Sequence, residues 1–112
     1  MAKTKTLWIK EEFLQLILAG QKTVEIRVGY KNILQLHPGD ILLLNEQHPY
    51  EIVDIRRYPD FAAMVATEKT EAVAPGISDP QALTEACRAI YPPDKEALGV
   101  VALEIKPSKI ET

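Results

Sequence analysis

The hydrophobic positions along the chain change period several times, and each change marks an element. The stretch "TKTLWI" at 4–9 is rich in β-branched and aromatic residues and predicts a first strand. From 10 to 19 the spacing turns helical, with Phe13, Leu14, Ile17 and Leu18 forming one apolar stripe. Glu11 and Glu12 fall in the first turn, where the helix dipole favours anions, and Gly20 stands where a helix stops. Residues 22–29 then alternate: Val24, Ile26 and Val28 take one face of a strand, and Thr23, Glu25 and Arg27 take the other.

"HPGD" at 37–40 has turn chemistry, and the apolar run at 40–46 predicts a buried strand. "YEIVDIRRY" at 50–58 alternates again, but Ile52 and Ile55 break the period of two, which predicts a bulge. Asp60 is positioned to cap a helix over 61–69. Asp79 followed by Pro80 is a cap followed by a first-turn proline, with an apolar stripe of Leu83, Ala86, Cys87 and Ile90 behind it. "YPPD" ends that helix, and "GVVALEIK" at 99–106 is a closing strand. The order is β-α-β-β-β-α-α-β, with no repeated βα units. It predicts an α+β fold: a small mixed or antiparallel barrel with helices packed outside.

Composition narrows the picture only in places. At 112 residues the chain is the size of one domain, spanning 1–112, and no internal repeat interrupts it. The apolar run near Phe13 is far shorter than the roughly 20 residues a spanning helix needs, so neither a membrane span nor a signal peptide is expected. The single cysteine, Cys87, allows no intrachain disulfide and fits a reducing, cytoplasmic setting. Its place on the apolar stripe predicts a buried structural thiol. Net charge is −3, with +1 over residues 1–57 and −4 over 58–112. An extended basic footprint for nucleic acid is not expected, whereas a small local one is compatible with this balance.

The candidate chemistry concentrates in 22–27. Lys22, Thr23, Glu25 and Arg27 lie within six residues, directly after the helix stop. Residues two apart on one strand face are about 6.5–7 Å apart, so Glu25 and Arg27 can share a partner. A solvated strand face and the floor of a binding cleft both fit this pattern. A lysine, a hydroxyl, a carboxylate and a guanidinium on one element can hold a phosphate, a carboxylate or a base edge. In "RRYPDF", Arg56 and Tyr58 interleave basic and aromatic character, which suits single-stranded nucleic acid. Glu68 and Glu71 are surface glutamates unless one faces Lys22, which would make an acid–base pair. His37 and His48 sit beside prolines without Cys or His neighbours and are read as turn residues. No metal or other cofactor is expected, and no glycine-rich phosphate loop is present.

These residues also resemble a known family. "LILAGQKTVEIR", "GYKNILQLHPGDILLLN", "IRRYPDF", "APGI" and "IYPPDKEALGVVALEIK" together resemble the ASCH domain family, over residues 7–107. "GxKTxExR" is the family's signature. The resemblance implies a β-barrel related to the PUA domain, flanked by helices, with a cleft lined by Lys22, Thr23, Glu25 and Arg27. It further implies that the cleft binds RNA or a modified nucleoside; Arg56 and Tyr58, on the pattern of RRYPDF alone, are candidate further contacts, with the core edge as the other reading of the aromatics. Small members of the family that the chain also resembles are amidohydrolases that remove the acetyl group of acetylcytidine with a lysine, a threonine and a glutamate. There the lysine matches Lys22 and the threonine falls on Glu25. The nearest counterparts of the glutamate are Glu68 and Glu71. Binding is the leading expectation, with metal-free hydrolysis by Lys22, Glu25 and Glu68 as the alternative. Ribonuclease activity and a regulatory partnership with translation or transcription machinery are more distant options.

Overall fold

The computed structural model describes residues 2–109. Five strands form one sheet in the order β1-β3-β4-β5-β2: β1 (Thr4–Leu7), β2 (Val24–Val28), β3 (Ile41–Leu44), β4 (His48–Tyr58) and β5 (Val100–Pro107). β1 pairs parallel to β3, and all other pairs are antiparallel, so the sheet is mixed. It is curled into a half-barrel rather than closed, which leaves β1 and β2 as free edges. The two edges are the first two strands in chain order, and β5, the last described strand, lies between β4 and β2.

The two helices with clear amphipathic stripes form where their spacing places them: α1 (Glu11–Leu18) and, in chain order the fifth, α5 (Pro80–Ile90). Between them lie α2 (Lys31–Leu34), α3 (Phe61–Thr67) and α4 (Thr70–Val73), and α6 (Pro93–Glu96) follows. The side chain of Asp60 accepts from the Ala63 N–H at the start of α3, and Asp79 accepts from the Gln81 N–H at the start of α5. Gly20 ends α1 at φ +78°, a conformation that costs glycine little. The break in alternation on β4 is a register shift between Ile52 and Asp54, at the position the sequence pattern indicates. His48 opens β4 rather than sitting in a turn. The buried Asp40 carboxylate accepts from the backbone N–H groups of Lys3 and His37, which ties the HPGD turn to the start of β1.

Strand parity divides the core in two. Val101, Leu103 and Ile105 of β5 point into the concave side with Leu42, Leu44, Ile52 and the α1 residues Leu14 and Ile17. Val100 and Ala102 point to the convex side, where Val24, Val28, Phe61, Met64 and Leu83 form a second cluster beneath α3–α5. Residues paired across strands share a face. Glu25 pairs with Leu103 and Arg27 with Val101, so this charged pair faces the concave side at the open edge of the sheet. Gly29 then lets the chain pass close to the turn before β5, since a Cβ there would lie 2.5 Å from the Leu98 carbonyl oxygen.

Candidate functional site

A cavity of about 280 Å³ wraps the free edge of β2. One wall is the segment after β1, with Trp8, Lys10 and Phe13. The opposite wall is the stripe of α5, with Leu83, Ala86, Cys87 and Ile90, continued by Tyr91. Val73, Ala74 and Ile77 close one end, and Lys22, Glu25, Ile26 and Arg27 line the β2 side. The α5 stripe therefore faces a cleft instead of filling the core along its whole length. Leu83 is buried, whereas Ile90 is 57% exposed. Trp8 stands on the rim at 63% exposed.

The polar floor is a chain of charge-assisted contacts. The Lys22 ammonium is only 6% exposed and donates to the carbonyls of Val24 (2.7 Å) and Val73 (2.6 Å). It also lies 3.3 Å from Oε1 of Glu25. Two of the ammonium's three donors are thus engaged by carbonyls, and Glu25 pairs with its charge. Oε2 of Glu25 accepts from Arg27 Nε at 2.7 Å, and a terminal nitrogen of Arg27 donates to the Trp8 carbonyl at 2.8 Å. Arg27 thereby spans the gap between β2 and the segment after β1 and fastens the open seam of the half-barrel. Its other terminal nitrogen has no hydrogen-bond partner among the described residues, and Arg27 is one of the residues that line the cavity.

Two groups in the walls are tuned by burial. Burial pushes the Cys87 thiol up to about 11, against a small opposing pull from Lys22. Cys87 is half-buried and lines the cleft, where the stripe alone predicted a core position. Burial likewise raises the Tyr91 phenol, partly offset by Arg27. The Tyr91 ring stacks on Phe61, with centroids 5.9 Å apart, so a rigid aromatic wall backs the site.

The sequence-predicted residues separate into two groups. Lys22, Glu25 and Arg27 come together at the cleft. Thr23 does not join them: it is exposed, and its N–H donates to the Ala72 carbonyl. Arg56, Tyr58 and Glu68 assemble with one another elsewhere, none of them lining the cavity. Arg56 grips Glu68 with Nε to Oε2 at 2.7 Å and NH2 to Oε1 at 2.8 Å. Its NH1 donates to both Asp54 and Glu104 at 2.8 Å, and the Tyr58 hydroxyl also bonds Glu68. The Arg56 bonds hold the Glu68 carboxyl below the ordinary range, and Glu68 foremost raises Arg56. Burial, then Glu68, raises the Tyr58 phenol. Glu71 is exposed in α4. Among the described residues, no three His, Cys, Asp or Glu are grouped so that they could hold a metal ion.

Sequence reasoning missed Trp8 and Tyr91 as cleft residues. The usable signal was a lone tryptophan at a strand end two residues before Lys10, and a tyrosine directly after an apolar stripe.

A curled mixed sheet flanked by helices, with a cleft at its open edge, defines the PUA-like class of α+β domains. A family model for the ASCH domain matches residues 7–109, and the chain belongs to the ASCH domain family. Among solved structures, the crystal structure of hypothetical protein PH0355 is 32% identical, with a TM-score of 0.87, covering 95% of this chain and 99% of that one. The solution NMR structure of protein PF0455 from Pyrococcus furiosus is 31% identical, with a TM-score of 0.79, covering 96% and 99%. A comparison with curated proteins returned no significant match. No helix among the described residues is long and apolar enough to cross a membrane.

Proposed function

We propose that this ASCH domain binds RNA, or a modified nucleoside, by taking one base into the cleft at the free edge of β2. The observation that carries the reading is the convergence of a dry-walled, aromatic-backed cavity on the buried Lys22–Glu25–Arg27 chain. A nucleobase has apolar faces and a polar rim, and both halves of this cavity match it. At about 280 Å³, the site lies just under the range of about 300–1,000 Å³ that drug-sized ligands occupy, which suits one nucleoside. The net charge of −3 argues against a long phosphate track, so recognition rests on the base and the few cations at hand.

Metal-free deacetylation of acetylcytidine is the competing reading, and the geometry favours it less. Lys22 is held by the carbonyls of Val24 and Val73, Glu68 is committed to Arg56, and a carboxylate stands where a threonine nucleophile is required. The deciding experiment titrates the protein with single-stranded RNA and with nucleosides while following Trp8 fluorescence, and in parallel assays release of acetate from acetylcytidine. Saturable binding without turnover is the expected result. Robust turnover that is lost in Lys22→Ala would replace the binding reading with a hydrolase.

A further inference from the structure

The backbone of β2 carries a reading element that no side chain pattern announces. In an antiparallel pair, residues alternate between those whose N–H and C=O face the partner strand and those that turn them away. The Thr23 carbonyl accepts from Ile105 N–H at 3.0 Å, and Gly29 N–H donates to the Gly99 carbonyl at 2.9 Å. With the register Val24↔Glu104 through Val28↔Val100, these bonds fix the alternation: residues 23, 25, 27 and 29 address β5. Val24, Ile26 and Val28 turn their peptide groups to the free edge.

Two of those three carbonyls are already satisfied. Val24 accepts from the Lys22 ammonium at 2.7 Å, and Val28 accepts from Tyr30 N–H at 2.8 Å. The N–H and C=O of Ile26 have no partner among the described residues, and Ile26 lines the cavity. Its side chain packs toward α3–α5, one wall of the cavity, while its peptide group stands at the free edge between that wall and the segment after β1. One donor and one acceptor therefore stand side by side between Glu25 and Arg27.

We infer that the Ile26 peptide reads the ligand, pairing through its N–H and C=O with an adjacent acceptor and donor on the edge of one planar heterocycle. The inference rests on the nucleoside-binding reading and specifies how the base is held. An added peptide strand is the other partner a free edge invites, but it needs alternate residues in succession. Here the neighbouring carbonyls at Val24 and Val28 are capped, which leaves room for a single ring. The flanking Arg27 guanidinium supplies a further donor, so the base edge must be rich in acceptors around its one donor.

The test is a two-dimensional amide NMR titration of the unmodified protein with adenosine, guanosine, cytidine and uridine, and with ribose 5-phosphate. The expected result is that at least one nucleoside moves the Ile26 amide resonance further than those of Val24 and Val28. Ribose 5-phosphate leaves it in place. If a nucleoside moves the Trp8 indole and Ile90 methyl signals while the Ile26 amide stays fixed, the inference falls and cleft binding survives. If ribose 5-phosphate moves the Ile26 amide as far as a nucleoside does, the edge holds phosphate and the inference also falls. If nothing in the cleft responds to any nucleoside or to single-stranded RNA, both readings fall together.

Discussion

Arg56 and Glu68 form a two-bond fork, Nε to Oε2 at 2.7 Å and NH2 to Oε1 at 2.8 Å, which pins the end of α3 to β4. The fork holds the Glu68 carboxyl below its usual range. A carboxyl depressed in the native state adds stability above its unfolded pKa, near 4.3, and loses it as pH falls through the lower native value. Glu68→Gln should therefore flatten the acid limb of the stability curve below about pH 4.3. Thermal melts of both proteins from pH 7 down to pH 2 would check this, and parallel acid limbs would exclude it.

Lys22 is expected to be the more costly residue to remove. Its ammonium satisfies two carbonyls and one carboxylate while almost fully buried. Lys22→Met keeps the volume but leaves Glu25 with one partner fewer and two acceptors bare. A loss of about 3 kcal/mol in urea unfolding is expected. A loss under about 1 kcal/mol would mean that water takes over these contacts.

Arg27→Ala should weaken nucleoside or RNA binding roughly ten- to a hundredfold, the worth of a charge-assisted bond. Lys31→Ala, on an exposed helix outside the cleft, should change it little. Fluorescence titration of both variants makes the comparison. Equal losses would show that charge alone governs binding.

The Cys87 thiol, raised to about 11, should resist alkylation at pH 8. Its thiolate fraction there is roughly two hundredfold below that of an ordinary cysteine. Labelling followed by mass spectrometry should show slow modification that accelerates toward pH 11. Bound nucleoside should slow it further, because the thiol lines the cleft. Labelling as fast as that of free cysteine would contradict the placement.

Glu25→Thr restores the residue type that the resembling amidohydrolases use. Acetylcytidine deacetylation should be weak or absent in the natural sequence and should rise in this variant, measured as released cytidine. A variant as inactive as the parent would show that Lys22, held by the carbonyls of Val24 and Val73, does not support the chemistry even with a threonine beside it.

How much of this was legible follows from the length of each signal. α1, α5 and the caps Asp60 and Asp79 declare themselves because an eleven-residue helix repeats its stripe and a cap needs only its neighbours. The four-residue helices α2, α4 and α6 are too short to show a period, and they escape notice. Alternation on β2 assigned Glu25 and Arg27 to one face correctly. It could not tell that the face meets Trp8 across an open seam, nor that Arg56 and Glu68, twelve residues apart, would spend themselves on each other. The α5 stripe was read for its period alone, and a period is the same for a helix that fills a core and one that walls a cleft.

The place of β5 in the sheet has a consequence for synthesis. β2, which carries the site, bonds only to β5, and β5 is the last of the described elements in chain order. β1, β3 and β4 can pair as they emerge, whereas β2 must wait while more than seventy residues are added. Closing so long a loop is slow, and it comes late on the way to the native state. A nascent chain stalled before Val100 would hold a three-stranded sheet with its ligand strand unmoored, so binding competence arrives in one step with the final strand.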